Sequence, residues 1–214
     1  ITSQVRANPS AGFSIVKYTP SQGSVIGHGL NQAPEFILIK GLGSRSWRVY
    51  HKSLDPAKTL YFDTSWETAD SSRVTAVTNT TFTYGTVGSM DYLAYCFAPV
   101  EGFSSVGSFV GNGSTDGPFV YTGFKVSWIM MKRTDTAGYS WFILDATRSP
   151  YNDTADYLIA NSNSAEADNT TFIDILSNGF KLRDSGATPN GSGGTYVYLA
   201  FASNPFASNG GLAR

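Results

Sequence analysis

The chain has 214 residues, 14% of them charged and 14% aromatic, with 22 glycines and a net charge of −1 from 15 basic and 16 acidic side chains. That length suits one large or two small domains, and the balanced, scattered charge offers no footprint for nucleic acid or an anionic membrane. No apolar run of 18 residues is present to insert into a membrane, and the abundance of Gly, Ser, Thr and Asn favours short strands and tight turns, so an all-β fold is expected.

The chain opens on Ile1 without a signal peptide, and an upstream portion is expected. Residues 1–12 are polar, carry Pro9 and show no sustained period, which reads as a linker or an N-terminal arm. Residues 13–19 alternate and residues 25–28 begin a return strand after a turn at 20–24, which predicts a hairpin. Phe36-Ile37-Leu38-Ile39-Lys40 is unbroken apolar until its Lys, the mark of a central strand covered on both faces. A turn at 41–44 returns it to a strand of mixed faces around Trp47 to His51. Further strands are expected at 58–63, 74–77, 82–84 and 91–98.

The same succession then occurs again. Ser105 to Arg133 answers Ser14 to Lys40, with Trp128-Ile129-Met130-Met131-Lys132 in place of Phe36 to Lys40. Asp91 to Ala98 answers Thr195 to Ala202, and the offset grows from 92 residues at Lys40/Lys132 to 104 at Phe97/Phe201. That growth places an insertion in the late loops of the second copy, mainly at 184–194, because cores fix strands while loops vary. Asn178-Gly179 between two apolar runs is a strong hairpin signal. The expectation is two tandem antiparallel β-sandwich, jelly-roll-like modules of about seven strands each, at 13–103 and 104–206, with a tail at 207–214.

The residues that carry chemistry are sparse. No nucleophile elbow, phosphate loop or dinucleotide fingerprint occurs. Cys96 is the only cysteine, in an apolar strand where the second copy has Ala200, so a small buried side chain is expected. His28 and His51 lie in different segments and do not suggest a metal site; no cofactor, metal or catalytic residue is assigned. Asp145, Asp153, Asp156, Glu166, Asp168 and Asp174 cluster in the second copy, but glycoside hydrolysis needs two carboxyls facing each other across a groove, and loop acids are the simpler reading. Sequons begin at Asn79, Asn112, Asn152, Asn169 and Asn190; a chain this rich in Asn, Ser and Thr produces such triplets in turns. Trp66, in a polar loop and without a counterpart Trp in the second copy, is either a ring for stacking on a sugar or a cap on the sandwich. With Glu67, Asp70, Asp184 and Asn190 it forms the candidate ligand-binding set.

The strings GFSIVKYT, IGHGLNQAPEFILIK, WRVYHKSL, DYLAYCFAPVEGFSSVGSFVGNGSTDGPFVYTGFKVSWIMMKRTD, FIDILSNGFKLRD and GTYVYLAFASNPF, which span residues 12–206, resemble the tandem β module near the C-terminal end of bacteriophage tail fibre and tail-associated proteins, many of them marine. The resemblance implies a non-enzymatic virion protein on the particle surface, a tail fibre or receptor-binding adhesin contacting a host glycan or protein. Other tail or virion proteins and further copies of itself are the expected partners. A purely structural virion component and a polysaccharide depolymerase are the alternatives. Fibre proteins of this kind usually work as trimers, which predicts a homotrimer with residues 1–12 and the faces around Phe103 and Phe206 near subunit contacts, and the loops at 64–72 and 184–194 turned outward.

Overall fold

A computed structural model describes residues 3–21, 23–65, 74–85, 90–167 and 171–203 of the chain, and nearly every regular element in it is a strand. Two compact units form, with the main boundary between Val100 and Glu101. In the first, β1 (Ser3–Asn8), β2 (Phe13–Tyr18), β3 (Ser24–Gly27), β4 (Phe36–Gly41), β5 (Arg48–His51), β6 (Leu60–Tyr61), β7 (Val74–Val77), β8 (Thr81–Tyr84) and β9 (Tyr92–Phe97) make two sheets ordered β1-β2-β9-β4-β5-β6 and β3-β8-β7. In the second, β10 (Ser104–Val110), β11 (Phe119–Tyr121), β12 (Val126–Arg133), β13 (Phe142–Asp145), β14 (Tyr157–Ile159), β15 (Ile173–Leu176), β16 (Gly179–Leu182) and β17 (Thr195–Ala202) make sheets ordered β10-β17-β12-β13-β14 and β11-β16-β15. With β1 set aside, the two orders agree strand for strand, at eight strands per repeat where about seven were expected.

Alternation on the strands decides which faces meet. Val16 and Tyr18 of β2, Ile37 and Ile39 of β4, and Ala94 and Cys96 of β9 pack with Ile26, Phe82 and Tyr84 of the smaller sheet in one buried cluster. In the second unit Ile129, Met131, Leu144, Tyr196 and Tyr198 meet Ile173, Phe180 and Leu182 in the same way. Each unit is therefore an antiparallel sandwich, closed by the apolar area removed from water between its two sheets. The unbroken apolar strands are central, as expected, and Met130 and Lys132, on the face of β12 away from that cluster, are buried as well.

Register reproduces the internal repeat residue by residue. Phe36, Ile37 and Lys40 pair with Phe97, Cys96 and Leu93, and Trp128, Ile129 and Lys132 pair with Phe201, Ala200 and Val197. Burial lifts the Cys96 thiol to about 12, against a smaller pull from the Ser14 hydroxyl opposite it.

Two of the expected hairpins form, β4 with β5 and β15 with β16 across Ser177 and Asn178, and β7 pairs with β8 as well. Two expectations are corrected. Strands β2 and β3 are not a hairpin; they lie in different sheets, because β2 pairs with β9 while β3 pairs with β8. The described part of the expected linker or arm, residues 3–12, is not unanchored either, since all of β1 pairs with β2. A 3-10 turn at Pro9–Ala11, capped by the Asn8 side chain, reverses the chain there. Gly12 completes it at φ +63, where a Cβ would stand 2.0 Å from the Ala98 carbonyl oxygen, so glycine is required on both counts.

Candidate functional site

Of the five candidate ligand-binding residues, Trp66, Glu67 and Asp70 lie outside the described residues. Asp184 and Asn190 are brought together, but as a loop clamp. Asn190 ends the one-turn helix α1 (Ala187–Asn190) and is 0% exposed. Its Oδ1 accepts from the Asn112 N–H at 2.9 Å, and its Nδ2 donates to Asn112 Oδ1, Ser114 O and Asp184 O at 3.0, 2.8 and 3.0 Å. Asp184 Oδ1 accepts from the Gly186 N–H at 2.6 Å. An amide that spends both its hydrogens and its oxygen inside the protein has nothing left to offer a ligand or a glycan. The inserted 184–194 loop is thus folded back onto its own sandwich at Asn190 and not wholly turned outward.

Asp145, Asp156, Glu166 and Asp174 of the second copy are held by neighbours. Asp145 accepts from the Thr147 and Arg148 N–H groups at 3.0 and 2.8 Å and from Arg148 Nε at 3.0 Å. Burial pushes its carboxyl up, but the Arg148 main chain and guanidinium, with Thr147, outweigh that and hold it below the usual range. Arg148 also pairs with Glu166, and Arg183 pairs with Asp174 at 2.5 Å. Asp156 accepts from the Ser149 hydroxyl at 2.9 Å. Asp168 lies outside the described residues. His28 is buried, with Nδ1 accepting from the Leu30 N–H and Nε2 facing the Thr78 carbonyl, which is the neutral ring. Among the described residues no three His, Cys, Asp or Glu side chains gather as a metal-binding group.

The concave surface most suited to a ligand lies elsewhere, under the loop at 146–156 that joins β13 to β14. Asp145 starts this loop by accepting from the next two free N–H groups, as Asp does in turns. Ser149 clips it, since its hydroxyl donates to Asp156 Oδ2 and accepts from the Asp156 N–H at 3.1 Å. Asn152 ties it to β15 in both directions, Oδ1 accepting from the Ile175 N–H at 2.9 Å and Nδ2 donating to the Ile175 carbonyl at 3.0 Å. Thr154 exchanges main-chain bonds with Ile173.

Between these ties Tyr151 stands 83% exposed. Beside it is a recess of about 200 Å³ lined by Lys125, Ala146, Asn152, Thr154 and Ile175 among others. Lys125 is exposed and makes no ion pair among the described residues. Thr154 is 1% exposed and its hydroxyl has no hydrogen-bond partner among the described residues. A ring face, a cation and a hydroxyl around a small hollow can bind. A larger hollow of about 500 Å³ on β1, β2 and β9, lined by Gln4, Val5, Arg6, Ile15, Lys17 and Leu93, has no aromatic ring, and its Lys17 is paired with Asp91 at 2.8 Å. Sequence reading passed over Tyr151; the signal available was an aromatic between Pro150 and Asn152 in a polar loop.

The chain belongs to the family defined by a domain of unknown function, DUF7483, whose model matches residues 1–205. No curated protein and no solved structure matches it.

Proposed function

We propose that this chain is a non-enzymatic recognition module of a bacteriophage tail fibre that contacts a glycan on the host surface. The motif resemblance supplies the virion setting. The observation that carries the recognition role is Tyr151, an aromatic ring held in solvent by a loop tied down at Ser149, Asn152 and Thr154. Such a ring loses little conformational freedom when a sugar face stacks on it. Among the described residues Asp91, Asp116, Asp135 and Asp145 have carboxyl pKa values that move down beside a Lys or Arg, the opposite of what a general acid needs.

Assembly as a homotrimer is part of this reading, since weak identical sites gain from being presented together. The exposed Val110, Phe119 and Tyr121 on the edge strands β10 and β11 support it, because another copy would cover them. Light scattering tests the assembly, and a monomer at tens of micromolar counts against it. Incubation with host-surface polysaccharide tests the function: binding without new reducing ends is expected. Release of reducing ends would make the chain a depolymerase, and absence of binding would leave a structural virion component.

A further inference from the structure

We infer that the recess beside Tyr151 takes a carboxylate-bearing sugar residue of an acidic glycan; this rests on the recognition reading above and names the ligand class. Lys125 is the only charged side chain among the described residues that line the recess, and it has no anion of its own. Asp145 and Asp156, the acids of the same loop that are held by partners, are occupied by Arg148 and Ser149 and do not line the hollow. An ammonium left free beside an aromatic face suits a ring that presents both an apolar side and a negative group. The volume, about 200 Å³, is of the size of one sugar ring.

Thr154 supplies the independent sign that something belongs there. Its hydroxyl is buried with no hydrogen-bond partner among the described residues, a costly state that a ligand hydroxyl would relieve.

The test is titration of the full chain with methyl β-glucuronide and methyl β-glucoside, followed by NMR. The glucuronide is expected to bind about tenfold more tightly than the glucoside. Lys125→Met is expected to abolish that preference. Thr154→Val is expected to weaken the glucuronide while keeping or raising the melting temperature, because it deletes a hydroxyl that is unpaired in the free protein. A merely structural threonine would not weaken binding while sparing the fold. Equal affinities, no binding of either glycoside, or no effect of Lys125→Met would overturn the inference. If the chain still bound intact host polysaccharide in any of those cases, the recognition reading would stand with its site elsewhere; if it bound no polysaccharide, both would fall.

Discussion

Lys40 and Lys132 make the same contact in the two sandwiches: each ends a central strand and donates its ammonium to a main-chain carbonyl of the following turn, Arg45 in one and Tyr139 in the other. Lys40 also lies 5.6 Å from the centre of the Trp47 ring. Lys132 is 1% exposed and has no carboxylate partner among the described residues. A lysine kept at this place in both copies serves the turn, since its ammonium satisfies a carbonyl there.

Burial lowers the Lys132 pKa from 10.5 to about 8. Between those values the unfolded chain holds a proton that the folded chain has shed, so this residue makes stability rise with pH over that window. Lys132→Met should remove its share of the rise. Denaturant midpoints for both proteins from pH 7.5 to 9.5 measure it; parallel curves would show that Lys132 is charged throughout.

His28 gives the opposite end of the profile. Burial lowers its pKa below 6.5 despite the hydrogen bond to Thr78. As pH falls below 6.5 the unfolded ring takes a proton that the folded ring refuses, and stability should drop until the folded value is reached. His28→Gln keeps a donor and an acceptor without titrating, and should flatten the curve between pH 7 and 5.

Ile129 has no exposed surface and faces the core from the middle of β12. Ile129→Ala should cost about 2–5 kcal/mol, and Ile129→Asp, an unpaired buried charge, should prevent folding. Soluble Ile129→Asp with a cooperative melt would contradict the placement of this strand.

Asn190→Ala removes four hydrogen bonds and strands the Asn112 N–H and the Ser114 and Asp184 carbonyls. A loss of about 2–4 kcal/mol is expected in chemical denaturation. A change within about 0.5 kcal/mol would return the 184–194 loop to the solvent-facing role read from sequence.

The strands that were legible are those whose side chains report burial. β4 and β12 are apolar on both faces, and β15 and β16 flank an Asn-Gly pair, so their pattern and turn chemistry are written locally. β1 was not legible because its order comes from main-chain pairing: Gln4, Val5 and Arg6 are all exposed, and an edge strand without a buried face has no period to detect. The crossing from β2 to β3 was misread for a related reason, since alternation tells how a strand faces and not which strand it joins. Asn190 read as a loop residue because its partners Asn112 and Ser114 lie 78 and 76 residues away. Tyr151 shows the same limit, as its exposure depends on ties from Asn152 to Ile175 that no local pattern announces.

The proposed recognition rests on Tyr151, displayed by a tied loop of the second sandwich. The most direct measurement compares the full chain with its Tyr151→Ala variant on an array of bacterial surface glycans, with a melt of each. The expected result is that the parent chain binds a subset of the glycans, while the variant melts at the same temperature and binds them at least about fivefold more weakly. A parent chain that binds none of them, or a variant that binds as the parent does, would contradict the claim.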